Sequence, residues 1–134
     1  PVKRGNEKKI GLIAAGNIPL VCFHDVFCIL MSGHQVHLKM SSQDTVLTEF
    51  MIRFLCKEAP ELAQKIEIPD SLKNVDALIA TGSDNTAMHL SYYFRHIPNL
   101  IRKNRTSVAI ISGSETEEDY KKLAEDVFAY YGLG

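Results

Sequence analysis

Short, uninterrupted apolar runs alternate along this chain with longer segments whose apolar residues recur every three or four positions. That is the pattern of buried strands alternating with helices. The run Lys9-Ile10-Gly11-Leu12-Ile13-Ala14-Ala15 ends at Gly16-Asn17, as a buried strand does when it leaves a sheet for a turn. Pro19 suits the first turn of a helix, where a missing N–H sacrifices no intrahelical bond. The helix expected over about residues 18–32 is apolar on nearly all sides, which predicts that it is sandwiched inside a larger body, and Gly33 stops it. Residues 36–40 alternate as a second short strand, with Ser41 and Ser42 following as candidate N-caps. Val46, Leu47, Phe50, Met51, Phe54 and Leu55 then form one stripe of an amphipathic helix that breaks near Pro60.

The second half repeats the alternation. Lys65-Ile66-Glu67-Ile68-Pro69 reads as a short edge strand closed by its proline. Residues 75–80 read as a buried strand turning at Thr81-Gly82-Ser83 into a helix over about residues 84–96, with Ala87, Leu90, Phe94 and Ile97 on one face and Pro98 at its end. Thr106-Ser107-Val108-Ala109-Ile110-Ile111 is the last expected strand, turning at Ser112-Gly113. The final helix is expected to open with a capping box, Ser114 with Glu117, and acidic residues in its first turn. Its stripe is Tyr120, Leu123, Ala124, Val127, Phe128 and Tyr131, with Gly132 as its C-terminal cap. Strand–helix alternation predicts an α/β fold with a doubly wound, mainly parallel sheet of Rossmann-like type, because parallel neighbours need crossover connections. With no interior linker or repeat, residues 1–134 read as one domain.

Composition narrows the function. Lys and Arg number 15 against 16 for Asp and Glu, a formal net charge of −1, so no global field draws in nucleic acid. The longest apolar stretch, residues 18–31, is interrupted by His24 and Asp25 and falls short of the ~20 residues a bilayer span needs, so membrane insertion is not expected. Three cysteines, Cys22, Cys28 and Cys56, without CxxC spacing fit a reducing, cytoplasmic setting and read as inert core thiols. His34-x-x-His37 spans a turn into a strand, where side-chain directions diverge, and no metal site is expected. Pro1 in place of an initiator Met, and the glycines of Tyr131-Gly132-Leu133-Gly134, suggest a fragment of a larger protein.

In open α/β sheets ligands bind beyond the carboxyl ends of the strands, so the turns carry the candidate chemistry. Thr81-Gly82-Ser83 joins a close-approach glycine to a hydroxyl and a helix N-terminus that favours phosphate, although an ordinary helix start accounts for the same residues. Lys39 ends a strand and could set an ammonium beside a ribose or phosphate; a solvated lysine is the plainer reading. The Asn17 amide could donate to an oxyanion, or act only as an N-cap. Neither GxGxxG nor GxxxxGK[ST] occurs.

In order and spacing, Gly16-Asn17-Ile18-Pro19-Leu20, the segment Ser32-Gly33-His34-Gln35-Val36-His37-Leu38-Lys39-Met40-Ser41, and Ala80-Thr81-Gly82-Ser83 resemble the cofactor-binding domain of the aldehyde dehydrogenase superfamily. Ile110-Ile111-Ser112-Gly113-Ser114-Glu115 and the terminal Tyr131-Gly132-Leu133-Gly134 are similar to its acyl-CoA reductase branch, of the bacterial luminescence type. The resemblance implies that Asn17 is the catalytic oxyanion donor, that Lys39 and Ser41 hold the adenosine ribose, and that Thr81, Gly82 and Ser83 meet the pyrophosphate. It further implies an oxidoreductase that reduces acyl-CoA or another acyl thioester to a fatty aldehyde through an acyl-cysteine. In that branch the nucleophilic cysteine follows such a Gly-Leu-Gly, so residues 1–134 would be the cofactor-binding part of the enzyme and inactive alone.

Two departures from the wider superfamily sharpen this expectation. Apolar Ile110 or Ile111 stands where hydrolytic relatives carry a glutamate that activates water, and reduction of a thioester needs no such base. Ser42 stands where many NAD-preferring relatives carry an acid, which removes a charge that would repel a 2′-phosphate; NADPH is therefore the expected cofactor, with NADH as the alternative. The competing readings are a non-catalytic nucleotide-binding or interaction domain of the same architecture, or a hydrolytic NAD(P)-dependent aldehyde dehydrogenase with Glu115 as its nearest carboxylate. A homo-oligomer is left open.

Overall fold

The computed structural model describes residues 6–103 and 108–129. The chain divides into two compact units, Pro1–Asn104 and Arg105–Gly134. The first unit holds β1 (Lys9–Ile13), α1 (Phe23–Met31), β2 (Gln35–Lys39), α2 (Thr45–Glu58), β3 (Ile66–Glu67), β4 (Ala77–Thr81), α3 (Asp84–Tyr93) and β5 (Asn99–Arg102), with a 3-10 turn over Pro60–Gln64. All strand pairs are parallel, in the order β3-β2-β1-β4-β5. The chain thus winds outward from β1 in one direction, then returns to the other side of β1 and winds the opposite way. With right-handed crossovers this places the helices on both faces, the doubly wound α/β arrangement expected from the alternation.

Register decides which residues share a face. Ile10 and Leu12 of β1 stand beside Val36 and Leu38 of β2, and α1 and α2 close over these four with Val26, Ile29, Met51 and Ile52. On the opposite face Gly11 lies against Leu72, Val75 and Leu78, close enough that a Cβ there would meet all three at 3.2–3.3 Å. A glycine in the central strand therefore lets the segment leading into β4 pack directly on the sheet.

Several elements differ from the sequence expectation. Helix α1 starts at Phe23 rather than near residue 18, because residues 17–22 form bends and turns and Leu20 takes a positive φ. It is covered on one side only: Asp25, Val26 and Ile29 are buried, while Phe23, Phe27 and Met31 form an exposed stripe. In α2 the buried face is Thr48, Met51 and Ile52 with Leu55 and Cys56 beside them, one step around from the expected stripe; Val46, Leu47, Phe50 and Phe54 are exposed. The buried Thr48 hydroxyl is satisfied by Asp44, which makes a polar residue acceptable on the inner face.

Strand β5 was not expected, and the run expected as the last strand is not one over its described part. Asn99–Arg102 pairs with β4, whereas Val108–Ile111 belong to no ladder and are exposed; Thr106 and Ser107 lie outside the described residues. An apolar run becomes a strand only where a neighbour accepts its backbone groups. In the second unit α4 (Glu117–Phe128) opens with a capping box made by Thr116 and Asp119, not Ser114 and Glu117. Glu115 is engaged beforehand, accepting from the backbone N–H of Ser112 and Gly113 and from the Ser112 hydroxyl. Tyr131 and Gly132 lie outside the described residues.

Candidate functional site

Where neighbouring strands send their connections in opposite directions, the loops leaving their carboxyl ends diverge and open a crevice. That point here lies between β1 and β4. A cavity of about 430 Å3 occupies it, walled by Ile13–Asn17 at the carboxyl end of β1 and by Thr81, Gly82 and Ser83 at that of β4, with Gln43, Thr86 and Lys103 completing the lining. Asn17, Thr81, Gly82 and Ser83, four of the residues singled out from sequence, therefore share one crevice.

Each wall has a local cause. Asn17 stands five residues before the Cys22 cap of α1, so it is not an N-cap; its exposed amide has no hydrogen-bond partner among the described residues. Gly16 brings this loop against the one following β2: a Cβ at Gly16 would overlap Ser41 Oγ and lie 2.8 Å from both Ser41 Cβ and Gln43 Cβ. On the other wall Ser83 is the N-cap of α3, its hydroxyl accepting from the Thr86 amide at 3.3 Å and lying 3.0 Å from Thr86 Oγ1. A Cβ at Gly82 would come within 2.9 Å of Thr86 Cγ2 and 3.1 Å of Thr86 Cβ, so a side chain there would displace Thr86. The first amides of α3 face the crevice end of the sheet with the positive end of the helix dipole.

Lys39 and Ser41 do not line this cavity. The Lys39 ammonium donates to the carbonyl of Asp70, in the segment after β3, at 2.6 Å, and Ser41 backs Gly16 while its hydroxyl accepts from the Gln43 amide at 3.3 Å. Sequence reasoning missed Lys103, the one charged side chain in the lining among the described residues. Its signal was a basic pair, Arg102-Lys103, at the carboxyl end of a strand that had not been recognised. Arg102 itself turns away: its guanidinium donates to both oxygens of Asp25 on α1, at 2.8 and 2.7 Å.

The cysteines lie apart from the crevice lining. Burial pushes the Cys22 thiol above its usual range, the bond to Thr48 opposes this, and the nearby carboxylates of Asp44 and Asp25 add to the rise. It is an inert thiol at neutral pH. His34 lines a different cavity with Ile10 and Ile29, whereas His37 faces Glu67 at 3.5 Å on the other side of the sheet, so the two histidines do not converge. Among the described residues no cluster of three metal-ligating side chains exists, and no helix is long and apolar enough to cross a membrane.

The sequence model of the family described as acyl-CoA reductase (LuxC) matches residues 5–131, nearly the whole chain. The chain belongs to this acyl-CoA reductase family. No curated protein and no solved structure shows significant similarity to it. For an acyl-CoA reductase, a crevice at the sheet's switch point that gathers a carboxamide, a glycine-serine helix start and an ammonium offers two kinds of chemistry. The helix end and Lys103 suit a phosphorylated group, and the Asn17 amide suits an oxygen that gains negative charge.

Proposed function

We propose that this chain is the cofactor-binding part of an NADPH-dependent acyl-CoA reductase that converts an acyl thioester to an aldehyde through an acyl-cysteine. The observation that carries the reading is the crevice between β1 and β4, in a chain of the acyl-CoA reductase family.

The donor set fits a dinucleotide. Thr81, Gly82 and Ser83 with the first amides of α3 would receive the pyrophosphate, and Lys103 would neutralise part of its charge. Gly82, where a side chain would strike Thr86, keeps the backbone open to close approach. Ser41 lies behind Gly16, within reach of a ribose laid over the β2 end, and Lys39 would exchange its Asp70 carbonyl for ribose hydroxyls. When bound, NADPH supplies the hydride. NADH is the weaker candidate, because Ser42 presents no acid against a 2′-phosphate.

The chain's own contribution to the chemistry is Asn17. Its side-chain N–H would donate to the thioester oxygen as attack makes it anionic, and again as hydride arrives at the acyl-cysteine. The thiolate comes from a cysteine outside these 134 residues, since Cys22, Cys28 and Cys56 lie apart from the crevice. Reduction is favoured over hydrolysis because, among the described residues, no carboxylate lines the crevice to activate water.

The test is Asn17→Ala in the full-length protein. Loss of one oxyanion donor costs about 3 kcal/mol of transition-state stabilisation, a turnover loss of about a hundredfold, with NADPH affinity retained. Weakened NADPH binding with turnover intact would overturn the role of Asn17. A full-length protein that oxidises no NADPH when given acyl-CoA would overturn the reading as a whole.

A further inference from the structure

We infer that Asp44 is a positioning residue for the reductase reaction: its buried carboxylate holds the turn carrying Asn17 in the shape that keeps that residue in the crevice lining. The inference rests on the proposed role of Asn17, but its physical core stands on geometry alone.

Asp44 lies in the loop between β2 and α2 and is only 8% exposed. It occupies the N-cap position of α2 yet makes no side-chain cap, so its carboxylate is spent elsewhere. One oxygen, Oδ2, accepts from the Leu20 amide at 2.8 Å and from the Thr48 hydroxyl at 3.1 Å. Thr48 is itself 1% exposed, with Cys22 Sγ 3.8 Å from its oxygen. Asp44 therefore ties the inner face of α2 to the segment between Asn17 and α1, 24 residues away in sequence.

The tie falls on the residue that most needs one. Leu20 has φ +57°, a conformation in which an L side chain crowds its own backbone and which glycine or asparagine ordinarily occupies. Left to itself, the turn would relax to negative φ and redirect the chain, carrying Asn17, three residues back, with it. A charge-assisted hydrogen bond to the amide of that residue opposes the relaxation. Two neighbouring bonds complete the turn, Val21 N–H to the Ile18 carbonyl at 3.3 Å and Phe23 N–H to the Leu20 carbonyl at 2.9 Å. The same loop that supplies Asp44 also supplies Gln43 to the crevice and Ser41 to the back of Gly16, so both walls of that corner are set by one anchored segment.

The experiment compares wild type, Asp44→Asn and Asp44→Asn/Leu20→Gly in the full-length protein, by steady-state kinetics with acyl-CoA and NADPH and by amide hydrogen exchange. Asparagine keeps the shape and an acceptor but loses the charge. Replacing a charge-assisted bond by a neutral one should lower kcat about tenfold, with KM for NADPH changed by less than about twofold, while exchange rises over residues 17–22. Leu20→Gly in that background should restore most of the lost kcat, since glycine adopts the turn without help. Leu20→Pro breaks the same bond from the other side, deleting the amide hydrogen and forcing φ negative, and should reproduce the loss even if Asp44→Asn folds poorly.

A merely structural Asp44 would lower the melting temperature and leave kcat and local exchange unchanged. That result overturns the inference, as does a glycine that rescues nothing. Faster exchange over residues 17–22 in a protein whose wild type reduces no acyl-CoA would sustain the anchoring and reject the reductase reading instead.

Discussion

Replacing Gly16 with alanine tests how tightly the two loops at the crevice corner are packed. The added methyl would overlap Ser41 Oγ and sit 2.8 Å from the β-carbons of Ser41 and Gln43. Carbon atoms at rest lie about 3.5–4.0 Å apart, so each of those two contacts is short by about 0.7 Å or more. Serine Oγ can rotate away, but the two β-carbons are fixed to backbone, and the loop after β2 must move with them. Overpacking of this kind costs about 1–3 kcal/mol, against about 0.4–1 kcal/mol gained from stiffening the unfolded chain, so destabilisation wins. At about 4–8 °C per kcal/mol for a unit of this size, a thermal melt followed by circular dichroism should move down by about 5–15 °C. Ser41→Gly in the same chain removes two of the three contacts and should recover most of the shift. An alanine variant melting within about 2 °C of wild type would refute the close approach of the loops, taking with it the placement of Ser41 at the cofactor's edge.

The Asp25–Arg102 pair predicts a double-mutant signature: Arg102→Met leaves a buried carboxylate unpaired and should cost about 2–3 kcal/mol, less than a fully buried pair because Arg102 is 35% exposed. Asp25→Ala/Arg102→Met should be less destabilised in urea titration than Arg102→Met alone. Cys28, exposed on α1, should react with a thiol reagent in the native protein, while Cys22, buried and with its pKa raised, should react only as the protein unfolds; mass spectrometry of the labelled peptides separates them. The backbone N–H and hydroxyl of Ser112, with the Gly113 N–H, hold the Glu115 carboxyl down to about 2 from 4.5. Because its folded pKa is depressed, its support of the turn before α4 is complete above about 4.5 and is lost as pH falls through about 2. Carboxyl NMR should show that midpoint, and Ser112→Ala should raise it only part of the way, since the backbone donors of Ser112, Glu115 and Gly113 remain.

Periodicity disclosed the strands and helices that carry their own burial. β1 and β4 are short apolar runs and β2 an alternating one, each ended by glycine or hydroxyl turns, and all three are where such patterns predict strands. The wall residues Asn17, Thr81, Gly82 and Ser83 were legible for the same reason, since strand ends and turn residues are local features. β5 was not legible: Asn99-Leu100-Ile101-Arg102 is too short and too polar at its ends to signal a strand, and it pairs only because β4 offers a free edge. With β5 missed, Lys103 was missed too. The rotation of the α2 stripe has a similar origin, because hydropathy cannot see that Asp44 satisfies Thr48 and makes it a core residue, while Phe50 and Phe54 are left outside.

The sequence by itself determined the alternation of elements, and with it the parallel α/β class, because each run's burial is written in its own period. It also determined the family, whose motifs are contiguous residues. Only the tertiary structure decided which strand ends adjoin at the switch point, which lysine enters the crevice and which turns toward Asp70, and that Asp44 reaches a strained Leu20. Those are contacts between residues far apart in the chain, and their energies depend on distances that no local pattern encodes.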